Sequence, residues 1–251
     1  MGQVMFCKTR YFYQPYVDFW NLVALSGYPT IYVDELDPQS DNTYIVTPLN
    51  GEWKAGWQDP KARIIHWDLE WRAERQEILG IEETWASDTW YANKNHCRYV
   101  MLGSHPGMNA QPNEMANKAY DVAMLASMNF RRGHMVDLLQ EEGVRVGCEA
   151  WSDERHKMLI SSKAYVYVCQ HEEYPAIAPQ RWALAAAYHL PIISENVADP
   201  GPFRYFGLWA DYQYIPYLVR ARLNDCGDYG WLLYNFLCVH HPFKRCVEEA
   251  V

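Results

Sequence analysis

The sequence predicts an α/β protein with two domains, each built around a parallel sheet. Short apolar segments of strand length alternate with helical segments along the chain, which is the pattern of parallel α/β sheets. A complete strand–loop–helix–strand unit lies between Ala164 and Glu195, and another strand–helix–strand series lies between Gln3 and Thr47. The stretch Ser104–Asn117 is rich in Pro, Gly, Asn and Met and has no clear period. Such a stretch is typical of a hinge, so we expect one domain on each side of it.

The first half begins with a strand, a helix and further strands. The helix predicted at Tyr16–Ser26 has apolar residues at helical spacing, follows Pro15 and ends at Gly27. The segment Lys8–Pro15 holds no glycine, so the glycine-rich loop of a nicotinamide-dependent dehydrogenase is absent. The strands predicted in this half are Gln3–Cys7, Thr30–Val33, Thr43–Thr47 and Ala62–Trp67, and a short charged helix is predicted at Arg72–Leu79.

The second half repeats the alternation of strands and helices. Ala164–Cys169 is a continuous apolar, β-branched and aromatic run, which indicates a strand buried on both faces. Pro179 stands where a first helical turn tolerates proline, and the alanine-rich helix that follows ends at Leu190-Pro191 before a strand at Ile192. The other predicted elements are the strands Tyr120–Ala126 and Val144–Val146 and the helices His134–Glu142, Trp151–Ser162, Tyr212–Leu223 and Trp231–His240.

Polar side chains follow the strands of the central unit. Gln170 and His171 end one strand, Ser194 and Glu195 end the next, and Arg181 lies in the first turn of the helix between them. Parallel sheets bind ligands at the carboxyl ends of their strands. A bound anion there would gain from the helix N-terminus and from the guanidinium. The structural alternative is that Arg181 pairs with a glutamate of the preceding loop.

This central unit resembles the donor-binding half of GT-B glycosyltransferases, nearest to the spore-maturation-type and group 1 members. The family pattern is roughly N-x-R-x-F-E-A-x-A-x-G-x-P-V-I-S-E, and it is matched by Gln180-Arg181, Pro191-Ile192-Ile193 and Ser194-Glu195. The resemblance implies a GT-B fold, in which two Rossmann-like domains face each other across a cleft. Two positions depart from the pattern. The glutamate that commonly holds the donor's ribose falls on Leu184, and the family's glycine falls on His189.

The resemblance extends to the loop after the strand at Tyr120–Ala126. Its polar residues stand where the family's "f-x-G-s-x-x-x-R" loop contacts the donor phosphates, with Ala126 in place of the usual glycine. Paired guanidiniums can clamp a diphosphate, although two arginines at a helix start can also form ordinary surface ion pairs. The donor-binding residues that the resemblance implies are Asn129, Arg131, Arg132, Gln170, His171, Arg181, Ser194 and Glu195.

The expected domain limits follow from the same resemblance. Ser87-Asp88 and Tyr99–Gly103 are similar to the "w-x-S-D" and "y-v-x-l-G" segments that close the GT-B acceptor domain. We therefore expect an acceptor-side domain over residues 1–103, a linker over 104–118 and a nucleotide-sugar-binding domain over 119–225. Residues 226–251 are expected to form a C-terminal helix that packs back on the first domain.

Asp68 and Glu70 are the candidate catalytic residues. They close an apolar strand of the first half, and their spacing places both on one face if the chain stays extended. In an inverting sugar transfer a carboxylate deprotonates the acceptor hydroxyl, and an acid at the carboxyl end of a strand suits that role. A retaining enzyme requires no such base, and the alternative is a pair of surface carboxylates near Arg72 and Arg75.

The composition argues against several partners, cofactors and locations. The 251 residues carry a net charge of −9, which weighs against a nucleic-acid partner. The seven cysteines are odd in number and form no C-x-x-C, so reduced thiols are expected rather than disulfides or zinc. No apolar run is long enough for a membrane span and no secretory signal is visible, which predicts a cytoplasmic protein. No D-x-D segment occurs, so neither a metal nor another cofactor is expected.

The sequence thus predicts a glycosyltransferase of the hexosyltransferase class. It would move a sugar from a nucleotide-diphosphate-sugar, expected to be a UDP-sugar, to an acceptor hydroxyl. A small molecule, a glycan and a protein stay open as acceptors, and analogy with compact phage enzymes adds a hydroxylated base in DNA. One alternative is a catalytically inactive nucleotide- or sugar-binding module of the same fold, since Leu184 and His189 depart from the pattern. A second alternative is a periplasmic-type binding protein, and the free cysteines weigh against it.

Overall fold

The chain divides into two compact units, Met1–Leu102 together with Phe243–Val251, and Gly103–Pro242. The computed structural model describes residues 2–10, 16–47, 56–69, 79–109, 118–148, 150, 152–173 and 175–251. The chain returns to the first unit at Phe243, whereas the sequence had assigned all of residues 226–251 to a returning helix. The described part of the predicted linker, residues 104–109 and 118, belongs to the second unit.

In the described part of the first unit, six parallel strands form one sheet in the order β2-β1-β3-β4-β5-β6. Each predicted strand of this half is present, shifted by a residue or two at its ends. Elements are numbered in chain order. The strands are β1 (Val4–Lys8), β2 (Thr30–Tyr32), β3 (Thr43–Val46), β4 (Arg63–Asp68), β5 (Glu83–Ala86) and β6 (Arg98–Tyr99), and the helices are α1 (Val17–Leu25), α2 (Thr89–Lys94) and α8 (Phe243–Ala250).

The core of the first unit is aromatic, and the C-terminal helix supplies part of it. The ring of Phe243 stacks on Trp67 with centroids 5.7 Å apart and lies 5.9 Å from Phe6 and 5.8 Å from Phe19. Burial of such rings contributes most of the apolar area that stabilises a small core. Helix α8 therefore completes the first unit, and the sequence predicts it as part of one longer C-terminal helix rather than as a separate helix. Its buried residues have the helical spacing of an amphipathic segment: Phe243, Cys246, Val247 and Ala250.

In the described part of the second unit, five parallel strands form a sheet in the order β11-β10-β9-β7-β8. The edge strand β11 was not predicted, because its four residues directly follow a Pro/Gly-rich loop. The strands are β7 (Tyr120–Met124), β8 (Val146–Cys148), β9 (Ser162–Tyr167), β10 (Ile192–Glu195) and β11 (Gly207–Ala210). The helices are α3 (Phe130–Glu141), α4 (Ser152–Ile160), α5 (Pro179–Ala187), α6 (Ile215–Arg222) and α7 (Gly227–Tyr234), which continues as a π-helical segment, Asn235–His240.

Helix α3 begins four residues earlier than predicted. Asn129 is its N-cap, and the Asn129 Oδ1 accepts a hydrogen bond of 2.9 Å from the Arg132 N–H. Such a cap satisfies one of the free N–H groups of the first turn. The prediction placed the helix start at His134, after Gly133. Arg131 and Arg132 consequently lie in the first helical turn and not in the preceding loop.

His189 takes the backbone conformation that favours glycine at the end of a helix. It follows α5 with φ of +53°, in the left-handed region, and its ring packs 4.1 Å from Trp231 and 4.0 Å from Tyr234 between centroids. Gly230 of α7 lies against this turn, and a Cβ at Gly230 would come within 2.0 Å of the His189 carbonyl oxygen. The imidazole of His189 thus packs against Trp231 and Tyr234 at the position where the GT-B family that this chain resembles has glycine.

An ion-pair network joins the amino ends of three neighbouring strands of the second unit. The Asp121 carboxylate of β7 accepts hydrogen bonds from the Arg145 N–H and guanidinium, each at 3.0 Å, and lies 2.9 Å from Lys163 Nζ of β9. These hydrogen bonds hold the pKa of Asp121 well below its usual range. Charge pairing here stabilises the edge of the sheet that lies opposite the strand carboxyl ends.

Some predicted features lie outside the described residues, namely Glu70 and most of the charged helix at residues 72–79. Across the described ranges, no helix is both long and apolar enough to cross a membrane. No cluster of three His, Cys, Asp or Glu side chains that could hold a metal ion occurs in those ranges either. All seven cysteines are free thiols.

Replacing Gly230 by Ala is expected to destabilise the second unit by about 3 kcal/mol, because its Cβ would collide with backbone that cannot rotate away. Gly227→Ala in the same helix is the control, since a Cβ there meets nothing within 4 Å. We expect that control to change stability by less than about 1 kcal/mol. Urea unfolding of both variants measures the difference, and equal stability of the two would contradict the packing described.

Asp121→Asn is expected to cost about 2 kcal/mol at neutral pH, because charged hydrogen bonds are lost. The pKa of Asp121 is lower in the folded protein than its unfolded value of about 3.9, so the stabilisation is complete above that value. It is lost as the pH falls further. The difference in unfolding free energy between wild type and variant should therefore be constant above about pH 5 and shrink below about pH 4. A difference that grows on acidification would contradict this assignment.

Candidate functional site

Six of the eight predicted donor-binding residues lie at the carboxyl end of a strand of the second unit, in the loop that follows a strand, or in the first turn of α3. Asn129, Arg131 and Arg132 follow β7, Gln170 and His171 follow β9, and Glu195 ends β10. Because β9 lies between β7 and β10, these residues come together at one edge of the sheet. Parallel α/β sheets bind ligands at this edge.

Arg131 and Glu195 form a bidentate ion pair at the centre of this edge. Arg131 Nη1 donates to Glu195 Oε2 at 2.7 Å and Arg131 Nη2 donates to Glu195 Oε1. The Cys169 N–H also donates to Glu195 Oε2 at 2.9 Å, and Arg131 Nη1 donates to the Cys169 carbonyl at 3.2 Å. Burial opposes the charge of Arg131, but the hydrogen bonds to Glu195 outweigh it and raise the pKa of Arg131. The two predicted residues are thus each other's partners.

Tyr212 completes the support of Arg131, a contact that was not predicted. Its ring lies 4.1 Å from the Arg131 guanidinium carbon, and its hydroxyl donates to the Arg131 carbonyl at 2.7 Å. A guanidinium held by an aromatic face and a carboxylate loses much of its rotational freedom. Tyr212 follows β11, the strand that was not predicted, so neither its position nor its contact could be inferred.

Arg132 is the buried cation of the site. It is 7% exposed, and its guanidinium donates to two backbone carbonyls, Val168 at 3.2 Å and Ser127 at 3.0 Å. Within the described residues it forms no ion pair with a carboxylate. Burial, and to a smaller extent the positive charge of Arg181, lowers the pKa of Arg132. A buried charge whose hydrogen bonds go only to neutral groups is costly, and a bound anion would offset that cost.

Arg181 brings a second positive charge to the same edge from a different helix. It lies in the first turn of α5, where Pro179 is the first helical residue and the N-cap Ala178 makes no side-chain cap. Its side chain is half-buried and close enough to Arg132 for the two charges to repel. Cations are disfavoured at a helix N-terminus, whereas an anion gains there from the helix dipole. The two arginines and the start of α5 therefore form a positive region suited to a phosphate.

Several predicted residues have structural contacts. Asn129 Nδ2 donates to the Gln170 carbonyl at 2.6 Å, so Asn129 joins the turns after β7 and β9. Ser194 is fully buried, and its hydroxyl donates to the Glu195 carbonyl at 2.8 Å, which favours a structural role for it. The side chains of Gln170 and His171 are exposed at the same edge. Burial raises the pKa of the Cys169 thiol to about 12, so this neighbour is uncharged at neutral pH.

The candidate base Asp68 lies in the first unit, at the carboxyl end of β4. Its Oδ2 accepts a hydrogen bond of 2.7 Å from the Tyr91 hydroxyl, which orients the half-buried carboxylate. Tyr91 is buried in α2, a helix capped by Asp88 through a hydrogen bond of 2.7 Å from the Tyr91 N–H. The sequence did not identify Tyr91, because residues 23 positions apart meet only after the sheet has formed. The second candidate, Glu70, lies outside the described residues.

Comparison with solved structures identifies the fold. The chain is similar to AviGT4, a glycosyltransferase involved in avilamycin A biosynthesis, with a TM-score of 0.68 and 9% identity over 98% of this chain and 96% of that one. It is also similar to HepE of Anabaena, solved with UDP and glucose, at a TM-score of 0.61 and 8% identity over 100% and 99% of the chains. A third is the DNA-modifying enzyme β-glucosyltransferase, at a TM-score of 0.56 and 10% identity over 100% and 99%.

These likenesses confirm the predicted fold class. The two parallel sheets with alternating helices are the two Rossmann-like domains of the GT-B fold. No protein-family model matches the sequence, and no curated protein sequence matches it significantly. The identities of 8–10% show the fold alone, so the chemistry has to be argued from the residues.

A double-mutant cycle on Arg131 and Glu195 is expected to give a coupling energy of about 2 kcal/mol, because both groups are largely removed from water. The variants are Arg131→Met, Glu195→Gln and their combination, and unfolding free energies are measured by urea denaturation. The matched control pair is Arg220 and Glu142, at 2.9 Å with side chains 71% and 42% exposed. That control should couple by less than about 1 kcal/mol. Equal coupling in the two pairs would show that Glu195 is not held as described.

Proposed function

We propose that the protein is a glycosyltransferase that uses a UDP-sugar. The donor's diphosphate binds at the carboxyl ends of β7, β9 and β10, and an acceptor hydroxyl binds at the first unit. The observation that carries the proposal is the buried guanidinium of Arg132, which hydrogen-bonds to neutral carbonyls and lies near a second guanidinium. A diphosphate supplies the missing negative charge. The likeness to a structure solved with UDP supports the choice of nucleotide.

The two arginines of α3 have different roles in this proposal. Arg131 is committed to Glu195, so its positive charge is already balanced within the protein. Arg132 and Arg181 are the groups that stabilise the negative charge that develops on the departing diphosphate. Fixed cations and a helix N-terminus can do this without reorganisation during the reaction. The transfer then needs no metal ion to neutralise the leaving group.

Asp68 is the proposed general base. A carboxylate at the carboxyl end of β4 can take the proton from the acceptor hydroxyl as the oxygen attacks the sugar's anomeric carbon. The bond from that carbon to the diphosphate breaks in the same step, and the nucleoside diphosphate leaves with the electron pair. Tyr91 donates a hydrogen bond to Asp68 and keeps the carboxylate oriented. Transfer by this route inverts the configuration at the anomeric carbon.

The two departures from the family pattern affect the proposal differently. His189 has the left-handed backbone conformation that the glycine would provide, so this replacement preserves the turn. Leu184 is 1% exposed in the core and cannot hydrogen-bond to a ribose as the family's glutamate does. We expect Glu195, at the end of the next strand, to provide a carboxylate on the donor side. The acceptor is a hydroxyl-bearing molecule, and a hydroxylated DNA base is one candidate, supported by the likeness to a DNA-modifying enzyme.

UDP is expected to raise the melting temperature and to bind measurably in calorimetry, and Arg132→Met or Arg181→Ala should weaken that binding at least about tenfold. Arg220→Met is the control, since Arg220 is an exposed arginine of α6 in the same unit. It should leave UDP affinity unchanged. If UDP, GDP and ADP all fail to bind wild type, the proposal is wrong.

Release of UDP from UDP-sugars separates an enzyme from a binding module of the same fold. Wild type should release UDP slowly to water and faster when a suitable acceptor is present. Asp68→Asn should lower the rate at least about a hundredfold while UDP affinity stays unchanged. Tight binding of UDP with no turnover of any UDP-sugar would instead support the inactive module.

A further inference from the structure

Lys8 lies at the carboxyl edge of the first unit, on the side proposed to hold the acceptor. It is the last residue of β1, an interior strand between β2 and β3. Strand alternation places it on the same face as Phe6, whose ring packs in the aromatic core. Lys8 therefore continues a core-facing row of side chains to the edge of the sheet where ligands bind.

Two aromatic rings hold the ammonium group of Lys8. Its Nζ lies 5.3 Å from the ring centroid of Tyr32 and 5.9 Å from that of Trp20. Cation–π contacts of this kind fix the position of the ammonium and leave its N–H groups available, because the rings contact it through their faces. The side chain is half-buried, so the charge is partly shielded from water.

No carboxylate among the described residues pairs with Lys8. Asp34 and Glu35, two acids that follow β2 at the same end of the sheet, are bound by Arg10 at 2.8 Å and 3.4 Å. Arg10 also stacks over Tyr32, with its guanidinium carbon 4.4 Å from the ring centroid. The positive charge of Arg10 is thus compensated locally, whereas that of Lys8 has no counter-charge in the described part of the unit.

A buried hydroxyl lies beside Lys8 on the neighbouring strand. Thr47 follows β3, and its N–H donates to the Cys7 carbonyl at 3.1 Å, which places it next to Lys8 in the strand register. Thr47 is 1% exposed, and its Oγ1 has no hydrogen-bond partner among the described residues. A buried hydroxyl left without a partner is costly, and a ligand oxygen can satisfy it.

From these contacts we infer that Lys8 and Thr47 bind an anionic group of the acceptor, and that the acceptor is a phosphate-bearing hydroxyl compound. The inference rests on the proposed function, since it gives the acceptor's chemistry. β4, which ends at the candidate base Asp68, is paired to β3, so the anion would be held at the same edge of the sheet as the candidate base. Lys8 supplies the charge and Thr47 supplies an O–H donor to a phosphate oxygen. The phosphate can belong to a small phosphorylated sugar or to a nucleic acid.

Binding experiments without any donor test this inference independently of sugar transfer. A hexose phosphate is compared with the free hexose, and a DNA duplex containing hydroxymethylated cytosine is compared with the free hydroxymethylated nucleoside. The protein variants are Lys8→Met, Lys8→Arg and, as matched control, Lys61→Met. Lys61 is an exposed lysine of the same unit that precedes β4 and pairs with Asp41. Affinities are measured by calorimetry at constant ionic strength, with competition by inorganic phosphate.

We expect one phosphate-bearing probe to bind at least about tenfold more tightly than its uncharged counterpart, and inorganic phosphate to compete with it. Lys8→Met should remove that preference, Lys8→Arg should retain most of it, and Lys61→Met should leave it intact. Whether the hexose phosphate or the DNA duplex binds more tightly than its uncharged counterpart shows where the phosphate comes from. The inference is overturned if no phosphate-bearing probe outbinds its counterpart, or if Lys8→Met and Lys61→Met behave alike. UDP affinity, measured in parallel, reports on the proposed function separately.

Discussion

The second unit contains a buried positive charge that no carboxylate among the described residues neutralises. Arg132 is held at the carboxyl end of β7 by the backbone carbonyls of Val168 and Ser127, and both bonds require the turns after two different strands to be in place. The Asn129 cap starts α3 where it does and connects these turns. A protein that keeps a desolvated guanidinium at the ligand-binding edge of a parallel sheet gives up stability there in exchange for affinity for an anion.

Adjacent arginines in one helical turn point in directions about 100° apart, and the structure gives them different partners. Arg131 meets Glu195 and the ring of Tyr212, so its charge is balanced and its position fixed. Arg132 points towards the sheet and is left with neutral acceptors. The same contrast recurs in the first unit, where Arg10 is paired with acids and, among the described residues, Lys8 contacts aromatic rings and no carboxylate. In both units one cation is balanced by acids, and a nearby cation has no carboxylate partner among the described residues.

Local sequence patterns were sufficient for most of the fold. Apolar, β-branched runs gave β1, β3, β4, β7 and β9 to within two residues, because buried parallel strands leave little choice of side chain. β11 was missed because four residues after a Pro/Gly loop carry too little pattern. α8 was predicted only as part of one returning helix over residues 226–251. The fold class followed from the order of elements and from the resemblance.

The sequence could name the residues of the candidate site, but it could not predict which of their side chains contact each other. Residues at strand ends could be named from the sequence, and Arg131, Arg132, Arg181 and Glu195 do gather at one edge of the sheet. Which arginine would be neutralised depends on a contact across 64 positions of the chain, and the support from Tyr212 on one across 81. No local pattern encodes such distances. For Ser194 the contacts point the other way: β10 is buried at all four positions, so a hydroxyl that the resemblance assigned to the donor lies in the core.

The central claim is that Arg132 binds the donor's diphosphate, and NMR of the arginine side chains tests it most directly. The Nε–H signals of nitrogen-labelled protein are followed while UDP is added. The account predicts that the signals of Arg132 and Arg181 shift and saturate together, while those of Arg145 and Arg220, in ion pairs away from the strand carboxyl ends, stay in place. Saturable UDP binding that leaves the Arg132 signal unchanged would contradict it.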